Sequence, residues 1–131
     1  MANLSLPLGK ATVSPRRNLR AGQWATIHYT FTASHPIDDT GYVKVVFRQV
    51  SDMGLPQFDD PAAPNYCTVR TTGDCRIKPR WDRKGNTRPW AKSLYLMVRG
   101  GFLDSGRKIE VIFGDTSGGS PGWRVQTFCE D

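Results

Sequence analysis

Apolar and polar residues alternate with a period of two along most of this chain. In residues 24–33 the apolar set is Ile27, Tyr29 and Phe31, and the intervening set is Thr26, His28, Thr30 and Thr32. Successive side chains of a strand point to opposite faces, so such a segment reads as a half-buried β-strand. Residues 42–50 repeat the pattern, with Val43, Val45 and Phe47 set against Lys44 and Arg48. Residues 92–99 do so with Leu94, Leu96 and Val98, and residues 107–113 with Ile109, Val111 and Phe113. Weaker candidates lie at 10–14, 66–71, 75–78 and 123–129. No window carries an apolar stripe at helical spacing.

About eight short strands separated by turn residues is the pattern of an all-β fold. The expectation is an antiparallel two-layer β-sandwich, immunoglobulin-like in general form, with a small closed β-barrel as the alternative. The apolar sets of the four strong segments form the predicted core. Gly22, Gly41, Gly54, Gly73, Gly85 and Gly106 mark turns between strands. Three connections read as long loops: 51–65, which holds Pro56, Pro61 and Pro64; 79–90; and the Gly/Ser-rich stretch 114–122.

The length of 131 residues allows one domain, spanning 1–131. A strand-like segment that runs almost to the last residue is the shape of a piece of a longer polypeptide. No apolar run approaches the roughly 18 residues of a membrane helix. The first residues lack the basic start and apolar stretch of a signal peptide, so a cytoplasmic location follows if that N-terminus is native. The three cysteines, Cys67, Cys75 and Cys129, are an odd number. That count argues against a disulfide framework, and free buried thiols are expected in preference to a Cys67–Cys75 bridge.

Net charge is +6, and its distribution matters more than its size. From Arg76 to Lys92 there are seven basic residues and one acid, Asp82, so the rest of the chain is nearly neutral. Within the loop predicted around residues 78–92, basic and aromatic residues interleave. Arg80, Trp81, Arg83, Lys84, Arg88 and Trp90 are the candidate ligand-binding residues, for a glycan or an anionic polymer. The alternative is a structural loop whose tryptophans fold over the sandwich edge.

Catalytic chemistry is harder to place. The stretch 114–122 has no Gly-Lys-Ser/Thr ending and no helix after it, which a phosphate loop requires. Acids fall in turns at Asp38, Asp39, Asp59, Asp60, Asp104 and Asp115 without the spacing of a calcium loop. His28 and His35 cannot supply a typical catalytic metal set, so no metal, cofactor or catalytic residue is assigned. The first functional reading is a non-catalytic accessory or interaction module, partnered by another domain of the same polypeptide or by a separate protein. A glycan- or polyanion-binding module using the 78–92 stretch is the second, and a small stand-alone enzyme with a barrel pocket is the third.

Several strings point further. They are Ala25-Thr26-Ile27-His28-Tyr29-Thr30-Phe31-Thr32-Ala33 with Ile37-Asp38-Asp39-Thr40-Gly41, then Pro64-Asn65-Tyr66 with Val69-Arg70-Thr71, then Gly85-Asn86-Thr87-Arg88-Pro89-Trp90. The set closes with Phe113-Gly114-Asp115 and Gly119-Ser120-Pro121-Gly122-Trp123-Arg124-Val125-Gln126-Thr127-Phe128. Over residues 11–128 the chain resembles the N-terminal part of a bacterial family of uncharacterised proteins, the DUF3604 family. The resemblance implies a β-rich leading domain joined to a metal-dependent hydrolase-like domain. The metal ligands of that arrangement belong to the later domain, so none carries over to this chain.

Overall fold

The structure, a computed structural model, describes residues 8–128. Nine strands form: β1 (Gly9–Ser14), β2 (Trp24–Ala25), β3 (Ile27–Ala33), β4 (Tyr42–Phe47), β5 (Cys67–Thr71), β6 (Asp74–Asp82), β7 (Lys92–Phe102), β8 (Lys108–Phe113) and β9 (Trp123–Arg124). A four-stranded sheet has the order β1-β3-β8-β5, and a three-stranded sheet has the order β4-β7-β6. A short pair, β2-β9, closes one end. All pairings between the named strands are antiparallel, and the molecule is an open β-sandwich rather than a closed barrel. Among the described residues no helix is long and apolar enough to cross a membrane.

The alternation places the core between the two larger sheets. From β7 come Leu94, Leu96 and Val98, and from β8 come Ile109, Val111 and Phe113, all buried. Phe31 joins them, while Ile27, Tyr29, Val43, Val45 and Phe47 pack against the cluster half-buried. The rings of Phe47 and Phe113, 6.0 Å apart and edge to face, bridge the layers. Ala33, Met53, Leu103 and Trp123 complete the core from outside the predicted set.

Three expectations need correction. The strand predicted at 123–129 is, within the described residues, only the two-residue β9, Trp123–Arg124. The strand predicted at 75–78 extends through β6 to Asp82, so the loop expected at 79–90 shrinks to residues 83–91. Pro79 is compatible with this because β6 is an edge strand, where a missing N–H need not break a ladder. Ile77, Pro79 and Trp81 oppose Val98, Leu96 and Leu94, and so continue the inward face. The segment 24–33 is two strands, because the chain changes partners at Thr26, whose hydroxyl donates to the Gly114 carbonyl at 2.9 Å.

Cys67 and Cys75 are both free thiols. They do not flank a hairpin, because β5 and β6 belong to different sheets. Burial pushes the Cys67 thiol up to about 12, and burial also raises that of the half-buried Cys75. Only the thiolate attacks an alkylating reagent. Peptide-resolved mass spectrometry after iodoacetamide treatment at neutral pH is expected to find Cys75 modified well before Cys67. Equal rates in the folded protein would contradict the placement of Cys67 in the core. Cys129 lies outside the described residues.

Asp52 fastens the far end of the chain. It accepts from the Thr127 hydroxyl, from the Thr127 amide at 2.7 Å and from the Phe128 amide at 3.2 Å. The hydroxyl bond, helped by the two amides, holds the Asp52 carboxyl at about 2 against an ordinary 3.8. A carboxyl lowered on folding contributes stability that is complete above its unfolded value and is lost as pH falls through the folded one. The fastening is therefore expected to hold above about pH 4 and to release towards pH 2. Amide shifts of Thr127 and Phe128 followed by NMR check this, and a midpoint near 4 would refute it.

Candidate functional site

The outward positions of the three-stranded sheet bring together residues from all three strands. Lys44, Tyr95 and Arg80 lie side by side across β4, β7 and β6, and Tyr42, Met97 and Lys78 form the neighbouring row. Beyond them Arg76 lies directly opposite Arg99. Arg76, Lys78 and Arg80 are exposed at alternate positions of β6, so their Cα atoms repeat at about 7 Å.

The aromatic rings on this face serve as supports for cations. The Arg80 guanidinium lies 4.2 Å from the Tyr95 ring centroid, and the Lys44 ammonium lies 5.3 Å from it. Tyr42 meets Tyr95 edge to face at 5.2 Å. The Arg48 guanidinium lies 5.2 Å from the Trp90 ring. Such contacts hold a long cationic side chain in a limited set of positions and are worth about 0.5–1 kcal/mol at an exposed site.

Carboxylates are scarce here. Among the described residues the ion pairs are Arg70–Glu110, Arg80–Asp82 and Arg124–Asp52. Lys44, Arg76, Lys78 and Arg99 therefore have no carboxylate at ion-pair distance. Like charges directly opposite on a sheet are destabilising, so the Arg76–Arg99 arrangement works against folding.

The β6–β7 connection, residues 83–91, folds back beside this face. Lys44 Nζ donates to the Gly85 carbonyl at 3.0 Å and to Asn86 Oδ1 at 3.3 Å, and the Tyr95 hydroxyl donates to the same carbonyl at 3.0 Å. The Gln49 amide donates to the Pro89 carbonyl at 2.9 Å. Between Gln49 and residues 81–92 runs an open groove of about 930 Å³. Arg83, Lys84 and Arg88 are exposed at its rim, and Trp81 and Lys92 form part of its wall. With the Gln49 amide turned so that its oxygen faces Arg88, Nε and Nη2 of Arg88 donate to it at 2.6 and 2.9 Å.

The six candidate residues thus divide. Trp81, Arg83, Lys84 and Arg88 meet in the groove. Arg80 stands on the outer face over Tyr95, and Trp90 is 45% exposed beneath Arg48. Trp81 is not a loop residue that presents its ring to solvent. It packs on the core, 5.8 Å from the Phe47 ring, and its buried Nε1 has no acceptor. An unsatisfied buried donor costs roughly 1–3 kcal/mol.

No family, no curated protein and no solved structure matches this chain. Its function must therefore be argued from the site itself.

The other candidate regions are occupied by structural bonds. In the Gly-rich connection 114–122 the Asp115 carboxylate accepts from the Ser117 amide at 3.0 Å, the Ser117 hydroxyl at 2.7 Å and the Thr68 hydroxyl at 2.9 Å. The Ser117 bonds, then that from Thr68, hold its carboxyl below the usual range. A carboxylate of the chain itself thus takes donors that an external anion would need. His28 on β3 and His35 in the bend after it are both exposed.

Sequence reasoning missed Lys44, Tyr95, Arg76, Lys78 and Arg99 as members of a site. Their signal was present in the outward half of the same alternation that located the core. What the sequence lacked was the register that sets Arg76 against Arg99.

Proposed function

We propose that this domain is a non-catalytic binding module that holds an anionic polymer against the outer face of its three-stranded sheet. The observation that carries the reading is that Lys44, Arg76, Lys78 and Arg99 have no carboxylate partner among the described residues, with Arg76 and Arg99 in direct register. An anionic partner turns that repulsion into attraction, and Arg can grip an oxyanion with two parallel bonds. Tyr95, the ring at the centre of this face, lies under Arg80 and Lys44, which favours an anionic ligand over a neutral glycan there. A role as the accessory domain of a larger, hydrolase-like protein is the further expectation of the sequence resemblance to the DUF3604 family.

The test is retention on immobilised heparin over a salt series. About four neutralised charges correspond to a slope near −3 in log affinity against log salt. That slope lowers affinity roughly fiftyfold or more between 50 and 200 mM salt. Retention that does not depend on salt, or equal retention on a neutral dextran, would rule the reading out.

A further inference from the structure

Lys92 stands where an apolar residue would continue the core. It opposes Phe47 in register and shares the inward side of β7 with Leu94, Leu96 and Val98. It is only 7% exposed. Its ammonium donates to the Ser51 carbonyl at 3.3 Å, and no carboxylate among the described residues pairs with it. An ammonium carries three donors, and burying a charge is unfavourable unless it is paired. Trp81, also inward-facing, lines the same groove, and its buried indole N–H has no acceptor. Arg83, Lys84 and Arg88 add donors at the rim. The acid present, Asp82, already accepts from the Lys84 amide at 2.9 Å and pairs with Arg80 at 3.6 Å. The groove is thus rich in donors and poor in acceptors, and it surrounds a buried cation.

The geometry points to this groove as the subsite for one acidic sugar unit of an anionic polysaccharide, with its carboxylate or sulfate held by Lys92 and Arg88. This rests on the polymer-binding reading above and names its ligand class. A volume of about 930 Å³ is far larger than a lone ion needs and falls in the range of small-molecule sites. Single-stranded nucleic acids bind largely by stacking bases on open rings. The one aromatic residue that lines this groove among the described residues, Trp81, is packed on the core. An acidic sugar needs cations and hydrogen-bond donors, which the groove has.

The test is an NMR titration of the whole 15N-labelled chain with a sulfated heparin disaccharide. The Trp81 indole signal, assigned by its loss in Trp81→Phe, and the amides of residues 83–92 are expected to shift and saturate. Lys92→Met is expected to weaken binding at least tenfold, and Arg88→Gln, at the exposed rim, at least threefold. Absent shifts overturn the proposal, as does unchanged affinity in folded Lys92→Met. If Lys92→Met does not fold, unchanged affinity in Arg88→Gln overturns it alone. An eight-residue oligothymidylate that moves the same signals at lower concentration overturns it in favour of nucleic acid. Inorganic sulfate that does so at the same concentration reduces the groove to a simple ion site and also overturns it. Heparin retention separates the two readings: a retained protein with silent groove signals loses the subsite alone, and an unretained one whose groove still shifts loses the polymer-binding face.

Discussion

Gly114→Ala is expected to destabilise the fold by about 4 kcal/mol or more, at the extreme of single-substitution effects. Gly114 follows β8 and has φ +80, a left-handed conformation that side chains resist. A Cβ there would lie 2.2 Å from the Trp123 nitrogen, 2.5 Å from the Ala25 carbonyl oxygen and 2.8 Å from the Gly122 carbonyl carbon. All three are backbone atoms, so no side chain can swing aside. Gly114 also donates to the Tyr66 carbonyl at 2.9 Å and accepts from the Thr26 hydroxyl at 2.9 Å. Moving it would part the β2-β9 pair from the end of β8. Gly106→Ala is the control. Its φ of +84 is similar, but a Cβ would meet nothing within 4 Å. It should therefore lose only the conformational term, about 1 kcal/mol. Urea unfolding of the two variants separates the cases, and losses within about 1 kcal/mol of each other would mean that these strand ends do not meet at Gly114.

The layers of the fold were legible because the burial code has period two. Leu94, Leu96 and Val98 are buried because β7 is the centre of its sheet and is flanked on both sides. Val43 and Val45 obey the same alternation but sit on edge strand β4, which leaves one flank open and keeps them half-buried. The alternation gives the side a residue faces, and only the strand order gives the depth. Pro79 concealed the length of β6, because a proline within an apparent strand argues against that strand until the segment is known to lie at an edge.

The site was less legible, for a related reason. A sequence window groups residues that are neighbours along the chain, and so it gathered residues 80–90 into one basic, aromatic loop. In the folded chain Arg80 and Trp81 point to opposite faces of β6, one over Tyr95 and the other against Phe47. Arg99 comes from a different strand and completes the basic face through pairing alone. Lys92 did break the inward row of β7 in the sequence, but a charged residue at a strand end is ordinarily solvated. Its burial follows from the groove wall built around it by Gln49, Trp81 and Ala91.

Replacing Arg76, Lys78 and Arg80 together by serine is expected to lower affinity for a long heparin chain about a hundredfold or more. Hydrogen bonds to charged groups contribute about 1.5–3 kcal/mol each, and three are removed. The loss is therefore large even if each contact is shared or partly wet. The salt slope should become shallower by about 1.5, because two of the four cations that lack a carboxylate, Arg76 and Lys78, are removed. Stability should change little, by less than about 1 kcal/mol. Losing Arg76 relieves its repulsion with Arg99, a gain of a few tenths of a kcal/mol. Losing Arg80 removes its contact with Tyr95 and an ion pair with Asp82 whose side chains are 51% and 37% exposed, so about 1 kcal/mol at most is lost. The net is a loss of less than about 1 kcal/mol. A row retained for packing would give the opposite pattern, a lower melting temperature with unchanged retention on heparin. A row whose charges oppose one another when the partner is absent gives weak binding in a protein that melts within a few degrees of the wild type. Retention and thermal melting on one preparation decide between the two, and unchanged retention would remove this sheet face as the binding surface.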